Sequence, residues 1–199
     1  MINNLAFKSL GLSNYQETYE SMKAHISLEK FHNEVWFLEH PPIYTLGTAA
    51  DKSHILDAGN IPIIQADRGG EVTYHGPGQL VIYFMLDVKQ LELGPKNLVK
   101  NLQNFIKELL EEFSIESNFI DGAPGVYTDE KKIASIGLRI SKGRSYHGIS
   151  INVDMDLKPF TNINPCGYSN LQVTQIKNYK KDVTITAVIN KAKKILSSY

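Results

Sequence analysis

The chain has 199 residues, 42% of them hydrophobic and 21% charged, with 21 lysines and arginines set against 21 aspartates and glutamates. That length can bury a sizeable core, and a single domain covering residues 1–199 is expected. Balanced charge argues against nucleic-acid or membrane-surface binding, and no apolar run approaches the ~20 residues that span a bilayer. The single cysteine, Cys166, excludes an internal disulfide and fits a reducing compartment. The opening M-I-N-N-L-A-F-K lacks the basic and apolar regions of a secretion signal, so a cytoplasmic location is expected.

In chain order, Ser13 opens a capping-box-like S-N-Y-Q, and Tyr15, Tyr19, Met22 and Ile26 follow at helical spacing. The reading is an amphipathic helix from Asn14 to about Glu29. Glu34–Glu39 is a short β-rich run, His40-Pro41-Pro42 interrupts it, and Ile43–Leu46 resumes it before a polar loop from Gly47 to about Asn60. Ile61–Ala66 and Leu80–Val88 read as buried strands. Between them lies R-G-G-E-V-T-Y-H-G-P-G-Q, Arg68 to Gln79, in which four glycines and a proline are interleaved with polar side chains. Glycines there let another molecule lie against the backbone, so the run reads as a binding loop or bulged strand edge.

Gly94-Pro95 starts a second helix, and Leu98, Val99, Leu102, Phe105, Ile106, Leu109, Leu110 and Phe113 keep its apolar period. From Gly125 to Val153 the pattern becomes an antiparallel meander with turns at Asp129-Glu130 and Lys142-Gly143. Gly137 and Gly148 mark bulges or close backbone approach. Phe160–Gly167 is loop-like, and Ile185 to Leu196 forms a C-terminal helix. The class is α+β, a mixed or antiparallel sheet flanked by helices.

Cys166 sits in the turn chemistry of Asn164-Pro165-Cys166-Gly167, and a thiol there becomes a nucleophile only beside a base or positive charge. The candidates for that role are His75, His147, Lys131 and Lys132. His147 lies in a strand-like run where a structural role fits better. Lys131 and Lys132 read as a solvated turn, yet alternation turns Lys132 to the face opposite Ile133. The six histidines show no metal-ligand spacing, so no metal is expected. No phosphate-loop, dinucleotide or G-x-S-x-G motif occurs, and no cofactor is expected.

Five segments in order carry a resemblance: L-E-H-P-P-I-Y-T-L-G (Leu38–Gly47), R-G-G-E-V-T-Y-H-G-P-G-Q-L (Arg68–Leu80), K-I-A-S-I-G-L-R (Lys132–Arg139), H-G-I-S-I-N-V (His147–Val153) and N-P-C-G-Y (Asn164–Tyr168). Together they resemble the lipoyl(octanoyl) transferase family. The resemblance implies a fold like the catalytic domain of biotin and lipoate protein ligases. It implies transfer of octanoyl from acyl carrier protein to a lysine of lipoyl domains, those of 2-oxoacid dehydrogenases and the glycine cleavage H protein, through an acyl-thioester on Cys166. It also selects Lys132 over Lys131 as the residue that lowers the thiol pKa and shuttles the proton. The implied acyl pocket comprises Arg68, Gly69, Gly70, Glu71, Val72, Thr73, Tyr74 and His75, with Ser135, Ile136, Gly137, Gly148, Ile149 and Ser150.

Two departures stand out: Phe84 replaces a proline common in relatives, expected to be a strand-edge detail, and Ser169-Asn170 follow Gly-Tyr near the cysteine. The rival readings are an ATP-dependent lipoate or biotin-type ligase, a thioesterase in which water resolves the acyl-enzyme, and a non-catalytic lipoyl-domain-binding protein. A basic rim of Lys142, Arg144, Lys177, Lys180 and Lys181 is the expected dock for an acidic carrier protein, and a monomer is expected.

Overall fold

A computed structural model of the chain describes residues 5–164 and 171–198. Residues 1–4, Cys166 with its Pro165-to-Tyr168 neighbours, and Ser169-Asn170 lie outside the described residues.

The elements run β1 (Ala6–Leu12), α1 (Tyr15–Ile26), β2 (Glu34–Glu39), β3 (Ile43–Leu46), β4 (Ile63–Gln65), β5 (Val72–His75), β6 (Gln79–Met85), α2 (Pro95–Glu111), β7 (Asn118–Ile120), β8 (Ala123–Thr128), β9 (Lys131–Ser141), β10 (Arg144–Asn152) and α3 (Ile185–Leu196). A seven-stranded sheet has the order β1-β2-β6-β10-β9-β8-β7, and a three-stranded sheet the order β4-β3-β5. Among the described strands of the large sheet, the β1–β2 pair alone is parallel.

Both faces of the large sheet are covered, which is why its central strands read as continuous apolar runs. On β6, Leu80, Ile82 and Phe84 join the core beneath α2 and α3, while Val81, Tyr83 and Met85 pack with Met22 of α1 on the other face. α2 presents Leu98, Leu102, Phe105, Ile106, Leu109 and Leu110 to that core, all buried. Each such side chain contributes ~1.5–3 kcal/mol, so the helix is fixed by packing. Phe84 is not a strand-edge detail: β6 is an interior strand, and the Phe84 ring meets Phe105 edge-on at 6.1 Å.

α1 is capped by Asn14, not Ser13; the Asn14 side chain accepts from the Gln16 and Glu17 N–H groups. Two strands escaped the sequence reading, β1 and β7, both at sheet edges where few buried positions leave little apolar signal. The glycine-rich run is not loop throughout. Val72–His75 is β5, paired with β3, and the preceding strand shortens to Ile63–Gln65 at the edge of the small sheet. Both meander turns stand where expected, with positive φ at Asp129, Glu130, Lys142 and Gly143 as two-residue hairpins require. Pairing runs through Gly137 and Gly148 without a register shift, so these glycines mark close approach and not bulges.

Candidate active site

The small sheet reaches the large one through the arm before β5. The Gly69 N–H donates to the Leu138 carbonyl of β9 at 2.9 Å. Arg68, buried beside this contact, donates to the Thr45 hydroxyl and carbonyl at 2.7–3.1 Å and to the Gly69 carbonyl at 3.0 Å. A Cβ on Gly137 would lie 3.1 Å from Arg68 Cδ, and one on Gly148 only 2.1 Å from the Ile82 carbonyl oxygen. Neither position accepts a side chain without displacement of its neighbours.

A cavity of about 610 Å³, within the usual range for small-molecule sites, lies against this junction. Arg68, Gly69, Gly70, Glu71, Val72, Thr73 and His75 line it from the small-sheet side. Ser135, Ile136 and Gly137 of β9 line it together with Ser150, Ile149 and Gly148 of β10, the residues paired opposite them in register. Two separate segments of sequence thereby become one surface. Tyr74 does not line the cavity. The period of two turns its ring to the other face, against Tyr44 and Phe160. The side chains of Ile136 and Ile149 belong to the core under α2, so their share of the wall is limited. Glu71 is held at the rim by His54 Nδ1 at 3.1 Å.

Lys132 also lines the cavity and is only 4% exposed. Its Nζ lies 5.6 Å from the centroid of the Tyr127 ring. Its aliphatic end crosses Gly125, where a Cβ would come within 2.4 Å of Lys132 Cε. The backbone of Lys132 is tied to the far side of the Cys166 segment: its N–H donates to the Gln172 carbonyl at 2.8 Å, and its carbonyl accepts from Thr174 at 2.9 Å. On the near side, the Asn164 N–H donates to the His54 carbonyl at 2.7 Å. Lys131, by contrast, opens β9 at the hairpin and is absent from the cavity wall.

Three histidines stand in or beside the cavity, and burial holds all of them neutral. His75 accepts no proton from solvent readily: burial, with the nearby His40, pushes its pKa down to about 3. The Gln79 amide donates to the Tyr74 carbonyl and the Asn152 side chain, so its oxygen accepts from His75 Nδ1 at 2.7 Å and leaves Nε2 as a lone pair. His147, at φ +60°, donates through Nε2 to the Asp67 carboxylate at 2.9 Å. Burial outweighs that carboxylate and leaves its pKa at about 4. His40 donates to the Ser13 carbonyl and accepts from the Tyr83 hydroxyl at 2.8 Å, and burial lowers it to about 4. Imidazoles with pKa values this low are poor proton acceptors at neutral pH. His147 is both structural, as expected, and part of the wall.

Sequence reasoning missed Tyr15, Thr48, Tyr83 and Gly125. Tyr15 of α1 lines the cavity at 3% exposure, and its hydroxyl has no hydrogen-bond partner among the described residues. Burial raises its pKa to about 12, which keeps it a donor. Helical spacing marks Tyr15 only as a core position. Gly125 carried a usable signal, since glycine inside a strand often marks a close approach. In the expected docking rim, Arg144 is committed elsewhere. It donates to the Ile26 and Leu28 carbonyls at the end of α1 and lies over Phe31. Lys177 pairs with Asp154 at 2.6 Å, whereas Lys142, Lys180 and Lys181 are exposed.

The family model described as the lipoyl protein ligase A/B catalytic domain matches residues 16–197. An octanoyltransferase of Francisella tularensis subsp. novicida is 46% identical over 190 residues, 94% of this chain and 92% of the relative. An octanoyltransferase of Shewanella baltica is 49% identical over 175 residues, 87% and 81% of the two chains. Among solved structures, lipoate-protein ligase A bound with ATP superposes with a TM-score of 0.77 at 16% identity, covering 96% of this chain and 83% of that one. Biotin protein ligase from Aquifex aeolicus gives 0.58 at 20% identity, covering 100% and 69%. The fold expected from the sequence motifs is the fold observed. No helix among the described residues is long and apolar enough to cross a membrane.

Proposed function

The chain belongs to the lipoyl protein ligase A/B catalytic-domain family, and from that premise we propose that it transfers octanoyl in protein lipoylation through an acyl-thioester on Cys166, with Lys132 as the proton-transfer residue. The whole chain serves as one catalytic domain. The donor is the phosphopantetheine thioester of acyl carrier protein, and the acceptor is a lysine of a lipoyl domain, as in 2-oxoacid dehydrogenases and the glycine cleavage H protein. The reading also carries a cytoplasmic, monomeric enzyme.

The observation that carries it is the pairing of a lined cavity with a buried lysine whose own backbone is hydrogen-bonded to Gln172 and Thr174, just beyond the segment that bears Cys166. In the first half-reaction the neutral amine form of Lys132 takes the thiol proton, the thiolate attacks the donor carbonyl, and the phosphopantetheine thiolate leaves, taking that proton back from Lys132. One thioester replaces another, so the step is nearly isoenergetic. In the second, the acceptor amine attacks the Cys166 thioester, gives up its proton and releases the thiol. Amide formation from a thioester is downhill, so no nucleotide is needed. The cavity holds the acyl chain, whose burial contributes ~0.8 kcal/mol per methylene. The neutral histidines keep the wall free of imidazolium charge that would oppose an apolar guest.

Intact-protein mass spectrometry after mixing with octanoyl-carrier protein, without ATP or acceptor, tests this reading. One octanoyl adduct is expected, absent from Cys166→Ala and discharged by a lipoyl domain. No adduct, with octanoate plus ATP then supporting transfer, would overturn it in favour of a ligase.

A further inference from the structure

The sequence shows no histidine pair at metal-ligand spacing, yet folding assembles one. His25 lies in the last turn of α1, His32 in the connection that follows, and Glu34 at the first position of β2. One ligand atom from each lies within 4.8 Å of the others, and none of the three residues lines the cavity.

The donor geometry is that of a metal-binding imidazole with its outer partner in place. His25 Nε2 sits 3.0 Å from the His32 carbonyl. A carbonyl only accepts, so Nε2 carries the proton and the neutral ring presents a lone pair at Nδ1. Metal-bound histidines commonly use such an N–H to backbone carbonyl bond to fix the tautomer. Nδ1 then faces Glu34 Oε2 at 3.7 Å, acceptor toward acceptor, on a side chain only 7% exposed. His32 Nε2 donates its N–H to Glu34 Oε1 at 2.7 Å, and a metal would take the place of that proton, the ring then keeping its hydrogen on Nδ1. Zinc bound tetrahedrally at ~2.0–2.1 Å sets its ligand atoms about 3.3 Å apart, and three ligand atoms within 4.8 Å of one another reach that spacing by modest side-chain rotation. The Glu34 carboxylate is itself oriented by Trp36 Nε1 at 2.6 Å. The His32 side chain is 53% exposed, so water can complete the fourth position from that side.

One cation already contacts the carboxylate: Lys8 Nζ of β1 lies 2.8 Å from Glu34 Oε2, on a side chain 49% exposed that can turn into solvent. We propose that His25 Nδ1, His32 Nε2 and the Glu34 carboxylate form a site for a zinc-class divalent cation, distinct from the catalytic cavity, in which the metal displaces the Lys8 ammonium. Two imidazoles and one carboxylate form a donor set suited to zinc. A metal there ties the end of α1 to the β1–β2 edge.

The test is zinc titration of the full chain in a Cys166→Ser background, which removes the thiol as a rival ligand, read by calorimetry and by competition with a chromophoric chelator. One zinc per chain is expected, with a rise in Tm. His32→Ala, at an exposed position and checked for folding by circular dichroism, is expected to lower affinity by ~10-fold or more and to abolish the Tm rise. Lys8→Ala should tighten binding, because it removes the competing charge. Cobalt substitution should give tetrahedral ligand-field bands that His32→Ala loses. Absence of one-to-one binding, affinity unchanged in His32→Ala, or affinity unchanged in Lys8→Ala would each overturn the assignment.

Discussion

Gly125→Ala is a perturbation that reaches Lys132 without altering it. The added Cβ would lie 2.4 Å from Lys132 Cε, 3.3 Å from Lys132 Nζ and 2.7 Å from the Ala134 carbonyl oxygen. Carbon atoms settle at ~3.5–4.0 Å, so the lysine end must retreat by about 1 Å or more, since the strand backbone yields less readily than a flexible side chain. A misplacement of that size costs ~100-fold when it moves a reacting group, equivalent to ~2.7 kcal/mol of activation free energy. Alanine at φ +142° adds backbone strain of order 1–3 kcal/mol to stability. The two effects separate with a control. Gly11→Ala imposes a left-handed residue at φ +65°, with nothing within 4 Å of its Cβ and no place in the cavity lining. Rapid-quench mass spectrometry of Cys166 acylation, alongside urea unfolding, should show both variants destabilised but only Gly125→Ala slowed. If Gly125→Ala acylates at the wild-type rate, Lys132 is not the group that moves the proton.

What the sequence makes legible follows from which signals are local. α2 announces itself because an apolar face of six buried residues must repeat along one helix, and the hairpin turns because a short polar pair, Asp129-Glu130 or Lys142-Gly143, breaks an otherwise β-rich run. The strands β1 and β7 carry no such signal. β1 has five exposed residues after two half-buried ones, and β7 has three exposed residues, so pairing with a neighbour decides them and local pattern does not. The site divides the same way. The glycine-rich run stands out by composition, but Tyr74 within it turns away, because a strand alternates and a motif does not record phase. Tyr15 enters the cavity from α1, where its spacing says only that it is buried. His25, His32 and Glu34 meet because α1 ends where β2 begins, a closure that no spacing rule describes.

Three further outcomes are expected. Glu130→Gly should stabilise the protein by ~1 kcal/mol, since Glu130 holds φ +60° in a two-residue turn that glycine adopts without strain; an unchanged or lower urea midpoint would refute this. Tyr15→Phe removes a buried hydroxyl that lacks a partner among the described residues, so stability should rise by ~1 kcal/mol or more. If that hydroxyl serves the bound acyl donor, transfer should fall in the same variant; transfer at the wild-type rate would confine Tyr15 to packing. The last concerns pH. His40, His75 and His147 have folded pKa values near 4, 3 and 4, below the ordinary 6.5, because burial disfavours their charged forms. The unfolded chain therefore binds more protons than the folded one between about pH 6.5 and 4. The neutral-histidine contribution is intact above pH 6.5 and is lost as pH falls through that window, at roughly 1.4 kcal/mol per histidine per pH unit once well below 6.5. Urea midpoints measured from pH 7.5 to 5 should be level at first and then drop steeply. A flat profile across that range would mean that these imidazoles accept protons in the folded protein, and the neutral cavity wall that suits an apolar guest would fall with it.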